Sequence, residues 1–111
     1  MREIKNKKIE AFGIKFYIEE NGKEIARTYL YLMKNDLHER PFGLMEDVFV
    51  EPAHRGEGLG SQLVEETIKA AKEQGCYKII CTSRHSKPDI HAWYQRHGFV
   101  DQGKEFRMDF K

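Results

Sequence analysis

The chain has 111 residues, with 19 lysines and arginines against 18 aspartates and glutamates and a formal net charge of +1. This length, without a break in composition, predicts one domain over residues 1–111. The balanced charge argues against a nucleic-acid partner, and no apolar run reaches the roughly 18 residues that a membrane span requires. Because the first residues also lack the pattern of a secretory signal, we expect a cytoplasmic protein with no membrane partner.

The first half of the chain predicts three strands. Residues 14–18 alternate apolar and polar side chains, and residues 25–33 resume an extended pattern after Asn21-Gly22, a strong hairpin signal. Residues 34–43 are polar and predict a loop. Residues 44–50 predict a third strand, which Pro52 ends because proline cannot continue a sheet ladder. An antiparallel hairpin therefore leads into the third strand.

The second half predicts a crossover, a helix and a second hairpin. Apolar residues recur at helical spacing from Leu59 to Ala71 and Gly75 ends that helix, after which residues 77–82 read as a strand. Strand, helix and strand in this order form a right-handed crossover between parallel neighbours. Residues 86–97 predict a second helix, with Ser86 as its cap and Pro88 in its first turn.

Residues 99–110 predict two short strands around Gln102-Gly103. The predicted fold class is therefore α/β (α+β), with a mixed sheet and a C-terminal hairpin. Cys76 precedes the predicted fourth strand and Cys81 lies within it, so the two are too far apart to pair there, and no metal-ligand spacing surrounds them. We expect two reduced, structural thiols and no metal site.

Three glycines stand between the third strand and the first helix, in the run Arg55-Gly56-Glu57-Gly58-Leu59-Gly60. A helix N-terminus has about four unpaired N–H groups and attracts phosphate, and glycines remove the side chains that would hold a phosphate away. The run therefore predicts a cradle for a pyrophosphate. The alternative is a turn that only joins strand to helix, although such a turn needs one glycine rather than three.

The spacing separates this run from two other phosphate loops. A P-loop requires Lys followed by Ser or Thr after its last glycine, whereas Ser61-Gln62 follows here, and the dinucleotide fingerprint G-x-G-x-x-G has different intervals. The arrangement R-x-x-G-x-G, formed by Arg55, Gly58 and Gly60, resembles the acetyl-coenzyme A loop of the GNAT superfamily of N-acetyltransferases. The resemblance covers residues 14–110.

Residues 92–99, Ala-Trp-Tyr-Gln-Arg-His-Gly-Phe, are similar to the second GNAT signature. In that family the Tyr hydroxyl lies beside the coenzyme A sulfur and can protonate the departing thiolate, which assigns this role to Tyr94. A tyrosine on a helix face is more often a packing residue, but its position before Gly-Phe favours the catalytic role. We expect Trp93 in the core and His97 as a surface cation at the helix C-terminus.

An amine attacks a thioester only when it is unprotonated, so a base must take its proton. Several GNAT members carry a carboxylate facing the acceptor at the position of Glu46, which would act directly or through water. Asp47 points to the opposite face of a regular strand, but a bulge would change which carboxylate faces the cleft. The main-chain N–H of Val48 would stabilise the oxyanion.

The resemblance also implies how acetyl-coenzyme A is bound. Main-chain groups of residues 48–50 would pair with the pantetheine amides where the parallel strands splay, and the glycine loop would hold the pyrophosphate, with added charge from Arg55. Lys87 departs from the Asn that many members carry, although it could reach a phosphate. The predicted cofactor-binding residues are Val48, Phe49, Val50, Arg55, Gly56, Glu57, Gly58, Leu59, Gly60, Ser61, Lys87 and Tyr94.

The acceptor side departs from the family pattern, in which a strand and two helices precede the hairpin. Only about a dozen residues precede Ile14, so we expect the acceptor site to be completed by the 34–43 loop, the C-terminal hairpin or another subunit, and we expect a homodimer. The predicted acceptor is a primary amine of a small molecule or a peptide.

The sequence thus predicts an acetyl-coenzyme A-dependent N-acetyltransferase that works by direct attack of the amine. One alternative is a non-catalytic module of the same fold that binds acetyl-coenzyme A or a partner, and a weaker one is a scaffold that binds no coenzyme A. Tyr94 and Glu46 favour the enzyme.

Overall fold

A computed structural model describes residues 1–110 of the chain. Four strands form one sheet in chain order, with one helix between the last two strands and one after them. The strands are β1 (Phe12–Glu20), β2 (Lys23–Met33), β3 (Phe42–Val50) and β4 (Ile79–Ile80), and the helices are α1 (Leu59–Glu73) and α2 (Pro88–Arg96). A single 3-10 turn, Pro52–His54, lies between β3 and α1. The predicted mixed sheet is confirmed.

The hairpin of β1 and β2 forms around the turn that the sequence predicts. Asn21 and Gly22 have φ angles of 54° and 78°, and two positive φ angles in succession are what a two-residue type I′ turn requires. β2 then pairs antiparallel with β3. The three antiparallel strands of the N-terminal half are confirmed.

The core lies between the sheet and α1. On the sheet side Ala26, Leu30 and Leu32 are buried at every second or fourth position of β2, which is the period of one strand face. On the helix side Leu63, Val64, Thr67 and Ala71 are buried at helical spacing. Each fully buried Leu contributes about 1.5–3 kcal/mol, so this contact fixes α1 across β2 and β3.

β3 and β4 are parallel, as the crossover predicts, but they pair through two residues of each strand only. Gly43 lies opposite Ile79 and Leu44 opposite Ile80, and Gly43 N donates to Lys78 O at 2.9 Å. The predicted strand over residues 77–82 is therefore too long. From Cys81 onwards the chain leaves β3, and the two strands separate on the side that leads to α2.

Both ends of α1 and the proline at the start of α2 match the sequence, whereas the predicted cap of α2 does not. Gly75 N donates to Lys72 O and Cys76 N to Ala71 O, both at 3.0 Å, so the predicted glycine stop of α1 is confirmed. α1 begins at Leu59, which places Gly60 within it, and Pro88 opens α2 as predicted. The predicted Ser86 cap is wrong: Lys87 occupies the N-cap and makes no side-chain capping hydrogen bond.

The predicted C-terminal hairpin is wrong. Residues 99–110, called the tail segment below, contain no strand, and nearly all of their side chains are exposed. The apolar alternation at Phe106, Met108 and Phe110 is real, but a strand also needs a ladder partner and a surface against which to bury one face. The tail segment has neither within residues 1–110.

We predict that Gly43→Ala destabilises the fold at the β3–β4 contact. A β-carbon at this position would lie 2.9 Å from Leu30 Cδ1 and 3.5 Å from Ile79 Cγ1, and Leu30 is fully buried. Such overpacking costs about 1–3 kcal/mol, which lowers the thermal midpoint by roughly 5 °C or more in a domain of this size. The control is Gly103→Ala, whose β-carbon meets nothing within 4 Å. Equal midpoints for the two variants would contradict the tight contact.

Candidate active site

The larger of two neighbouring cavities opens where β3 and β4 separate. Its volume is about 700 Å³, within the range of small-molecule sites. Residues from β3, from the loop after β4, from α2 and from the tail segment meet there. They are Met45, Glu46, Asp47, Thr82, Ser83, Arg84, Tyr94, Glu105, Phe106, Arg107 and Met108.

A β-bulge in β3 decides which carboxylates reach this cavity. Asp47 has a φ of 55°, and the register with β2 shifts between Arg27 and Tyr29. The buried Thr28 stands opposite the bulge and donates its hydroxyl to Glu46 O at 3.0 Å. Because of the extra residue, Glu46 and Asp47 both line the cavity. In a regular strand Asp47 would point to the opposite face, but the bulge turns it towards the cavity, which was the alternative named from the sequence.

The two carboxylates differ in their surroundings. Asp47 Oδ2 accepts a hydrogen bond from Arg27 Nε at 3.0 Å, and the Arg27 guanidinium lies 4.7 Å from the centroid of the Phe49 ring. The charge of Asp47 is thus balanced by a cation held in place on the sheet. Glu46 is engaged through its main-chain carbonyl and presents an exposed carboxylate to the cavity.

Tyr94 brings a half-buried phenol to the same cavity. Its ring stands edge-on to Phe99, with centroids 5.7 Å apart. Burial, followed by the neighbouring Cys81 thiol, raises the pKa of Tyr94 to about 12. Burial likewise raises the pKa of Cys81 to about 11. The phenol therefore stays protonated at neutral pH and can act as a hydrogen-bond or proton donor.

The smaller cavity, of about 270 Å³, is formed by the glycine loop and the start of α1. Gly56 and Gly58 have φ angles of 86° and 82°, and a β-carbon at either would project into open space. No side chain caps α1, and its first internal hydrogen bond runs from Gln62 N to Gly58 O at 3.1 Å. The N–H groups of residues 59–61 are therefore available to an anion. The residues present fit a pyrophosphate.

Charged side chains surround the loop. Arg55 Nε donates to Val50 O at 3.0 Å, which holds the guanidinium against the strand end. Glu57 Oε2 lies 3.1 Å from His54 Nδ1, so the acidic residue of the loop faces a histidine that also lines the cavity. Lys87 is exposed at the N-cap of α2.

One expectation for α2 is wrong and another needs an addition. Trp93 is half-buried and lines the smaller cavity rather than the core, and its Cζ2 atom lies 3.4 Å from where a β-carbon of Gly60 would stand. His97 lies at the C-terminal end of α2 as predicted, but it is half-buried and its Nε2 atom lies 3.1 Å from Ser61 Oγ. No local pattern reveals a contact across 36 residues.

Thr82, Ser83 and Arg84 line the larger cavity and were not predicted as site residues. They follow directly after β4, and polar residues at the carboxyl end of a parallel strand are a usable signal for a site. His91 Nε2 lies 2.7 Å from Arg84 O and Lys87 N donates to the same oxygen at 3.1 Å. This short loop is thereby tied to α2.

Parallel strands that separate beside a glycine loop form a site whose shape and main-chain donors fit an anionic, extended ligand. Residues 13–101 match the family model described as an acetyltransferase (GNAT) domain. Since the match covers most of the chain, the chain belongs to the GNAT family. Members of this family take the acetyl group from acetyl-coenzyme A.

The relatives include glucosamine 6-phosphate N-acetyltransferases. A probable glucosamine 6-phosphate N-acetyltransferase of Oryza sativa subsp. japonica is 43% identical over 70 residues, covering 61% of this chain and 39% of the relative. The glucosamine 6-phosphate N-acetyltransferase of Candida albicans is 33% identical over 91 residues, covering 81% of this chain and 59% of the relative. The chain therefore spans less than two thirds of the length of these relatives.

Solved structures agree with the family. The crystal structure of glucosamine-6-phosphate N-acetyltransferase from Arabidopsis thaliana has a TM-score of 0.80 with 27% identity, covering 89% of this chain and 67% of that one. Within residues 1–110, neither helix has the length and apolar character to cross a membrane. A cytoplasmic location stays a prediction.

We predict that the Tyr94 phenol ionises near pH 12. The raised pKa means that the folded state keeps the phenol proton above the ordinary pKa of 10. The contribution of the neutral Tyr94 phenol to the free energy of unfolding is therefore complete below pH 10, and it is lost as the pH rises towards 12. The measurement is a spectroscopic tyrosinate titration of the folded protein and of Tyr94→Phe, from which the difference isolates one group. A difference curve centred near pH 10 would show that the phenol is solvated.

Proposed function

We propose that the chain is an acetyl-coenzyme A-dependent N-acetyltransferase that acts on a primary amine. The observation that carries this proposal is the shared cleft of Glu46 and Tyr94, a carboxylate and a neutral phenol, next to a cavity that fits a pyrophosphate. Glu46 can accept a proton, Tyr94 can donate one, and the smaller cavity can hold the pyrophosphate of acetyl-coenzyme A.

The binding of acetyl-coenzyme A would use both cavities. Acetyl-coenzyme A supplies the acetyl group as a thioester at the end of a pantetheine arm. The N–H groups at the start of α1 would hold its pyrophosphate, with Arg55 beside them. β3 pairs with β4 only up to Leu44, so main-chain groups of residues 48–50 that face the cleft would pair with the arm, although the Val50 carbonyl also accepts a hydrogen bond from Arg55.

The proposed reaction assigns one proton transfer to each side chain. The acceptor nitrogen forms a bond to the thioester carbonyl carbon, and Glu46 takes a proton from that nitrogen directly or through water. The Val48 N–H would stabilise the negative charge that develops on the carbonyl oxygen. When the carbon–sulfur bond breaks, Tyr94 gives its proton to the sulfur. The products are an amide and a free thiol.

The acceptor that we propose is a phosphorylated amino sugar. Relatives that carry the name glucosamine 6-phosphate N-acetyltransferase are the first support. The second is the charge arrangement of the larger cavity, where Arg84 and Arg107 accompany the carboxylates of Glu46 and Asp47. Arginine suits phosphate because its planar guanidinium can donate two parallel hydrogen bonds. The carboxylates of Glu46 and Asp47 can accept hydrogen bonds from the amine of the sugar.

Gly58→Glu should abolish or strongly weaken binding of acetyl-coenzyme A. The new carboxylate would enter the open space of the cradle, and it would oppose the pyrophosphate by bulk and by charge. Gly75→Glu is the matched control, because Gly75 has a φ of 80° and open space around its β-carbon at the other end of α1. Calorimetric titration measures both affinities. Equal losses of affinity in the two variants would indicate backbone strain. An unchanged affinity in Gly58→Glu would show that the pyrophosphate does not bind at this loop.

Tyr94→Phe and Glu46→Gln should lower kcat by about 10²–10⁴-fold, the usual contribution of a positioned acid or base. Affinity for acetyl-coenzyme A should change little in either variant. Asp47→Asn is the comparison, because Asp47 lines the same cavity but is paired with Arg27. Release of free thiol measures turnover. Normal turnover in Glu46→Gln with a large loss of turnover in Asp47→Asn would assign the base to Asp47 instead. If the wild type releases no thiol, the non-catalytic module is favoured.

Arg84→Gln should raise KM for glucosamine 6-phosphate and leave KM for unphosphorylated glucosamine unchanged. A hydrogen bond to a charged group is worth about 1.5–3 kcal/mol, which corresponds to roughly a 10- to 150-fold change. Arg96→Gln is the control, since Arg96 is exposed in the last turn of α2 and does not line the cavity. Equal effects on both acceptors would contradict a phosphate contact.

A further inference from the structure

Ser61 brings a hydroxyl to the smaller cavity. Among the residues of 1–110 that line this cavity, Ser61 is the one with a side-chain hydroxyl, and it stands in the first turn of α1. A hydroxyl has a single proton to donate and two lone pairs that accept. The oxygens of a pyrophosphate are ionised and only accept hydrogen bonds. Ser61 can therefore contact a pyrophosphate in this cavity only by donating its proton to it.

His97 stands within hydrogen-bond distance of this hydroxyl, but its side chain is not part of the cavity lining. Its Nε2 atom lies 3.1 Å from Ser61 Oγ. The imidazole ring stands edge-on to Trp93, with centroids 4.9 Å apart, and His97 N donates to Tyr94 O at 3.0 Å. Both the ring and the backbone of His97 are thus held, and His97 can act on a ligand in the smaller cavity through Ser61.

The close approach of α2 to α1 that permits this contact depends on Gly60. A β-carbon at Gly60 would lie 3.4 Å from Trp93 Cζ2 and 3.7 Å from Val50 Cγ2, so Trp93 packs where a side chain of residue 60 would stand. Because Trp93 and His97 are four positions apart, they lie on the same face at the end of α2. The imidazole therefore meets the hydroxyl of the residue that follows Gly60.

Two arrangements of hydrogen atoms fit the contact between Ser61 and His97. In one, Nε2 carries no proton and accepts the proton of Ser61, which is then directed at the imidazole. In the other, Nε2–H donates to a lone pair of Ser61 Oγ, and the proton of Ser61 is left for another acceptor. A serine without such a partner can turn its hydroxyl to a main-chain carbonyl of the preceding turn. Only the second arrangement directs the hydroxyl of Ser61 to a pyrophosphate.

We propose that His97 is a positioning residue for acetyl-coenzyme A: its Nε2–H donates to Ser61 Oγ, and Ser61 donates its own proton to the pyrophosphate. The neutral tautomer with its proton on Nε2 and the imidazolium both supply this donor. The inference rests on the proposed function. It adds that the bound pyrophosphate selects the form of His97 that carries a proton on Nε2, because only this form leaves the proton of Ser61 for the ligand.

The test is the affinity for acetyl-coenzyme A, measured by calorimetric titration of the wild type and of two His97 variants. His97→Phe keeps a ring against Trp93 but has no donor, whereas His97→Gln loses the ring and retains an N–H group near the position of Nε2. We expect His97→Phe to weaken binding by about 2- to 13-fold, the net value of one hydrogen bond, and His97→Gln to bind more tightly than His97→Phe. If His97 only packs α2 against α1, this order is reversed, which would overturn the proposal.

Ser61→Ala shows whether His97 acts through the hydroxyl. This variant should weaken binding by roughly 10- to 150-fold, the loss of a hydrogen bond to a charged group, and the addition of His97→Phe should cause no further loss. Additive losses would overturn the proposal. Arg96→Gln is the control, because Arg96 is an exposed cation next to His97 and lies outside the cavity lining. Its affinity should be unchanged, and a loss equal to that in His97→Phe would contradict a specific contact.

Two-bond hydrogen–nitrogen correlation spectra of the wild type with isotope-labelled histidine show the arrangement of hydrogen atoms directly. The His97 signals are those that are missing from His97→Gln. We expect Nε2 to carry a proton in the complex with acetyl-coenzyme A. An unprotonated Nε2 in a complex of normal affinity would refute this inference alone, whereas a wild type that binds no acetyl-coenzyme A would refute the proposed function together with it.

Discussion

The separation of β3 from β4 is the constraint on which the rest of the structure depends. Two parallel strands that pair over two residues and then diverge leave one edge of β3 without a neighbouring strand from Met45 onwards, within the described residues 1–110. Main-chain groups at such an edge require hydrogen-bond partners, and a ligand with amide groups can supply them. The same divergence makes room for the larger cavity and determines that the chain after β4 contributes to its lining.

α2 links the two cavities. The adjacent residues Trp93 and Tyr94 line different cavities, Trp93 the smaller and Tyr94 the larger, and their ring centroids are 5.3 Å apart. The hydrogen bond between Ser61 and His97 ties the end of α2 to the first turn of α1. One short helix therefore fixes the position of the proposed proton donor relative to the proposed pyrophosphate cradle.

Local patterns predicted the parts of the fold that local chemistry determines. Asn21-Gly22 accepts the two positive φ angles of its turn at low cost, and Gly75 does the same at the end of α1, so both could be predicted from residue type. The parallel crossover followed from chain order. The residues of the glycine loop could be predicted from the sequence, because glycine has no side chain. That absence both permits a positive φ and leaves space for an anion.

Other features depend on contacts between distant residues. Asp47 adopts a positive φ within a bulge that the buried Thr28 stabilises from another strand, and no signal within residues 44–50 fixes that choice. The Ser61–His97 contact and the placement of Trp93 arise only once α2 docks beside α1. The hairpin prediction for the tail segment was wrong because an alternating pattern shows which side chains share a face. It does not show whether another strand or the core covers that face.

The central claim is that the glycine loop binds acetyl-coenzyme A, and it is tested most directly by the thermal unfolding midpoint of the wild type with and without this ligand. Ligand at about 100 times its dissociation constant stabilises the folded state by roughly 2.7 kcal/mol, which corresponds to a rise on the order of 10 °C for a domain of this size. The account predicts a clear rise of this size. An unchanged midpoint at millimolar ligand would contradict it, because a loop that leaves the midpoint unchanged holds no cofactor.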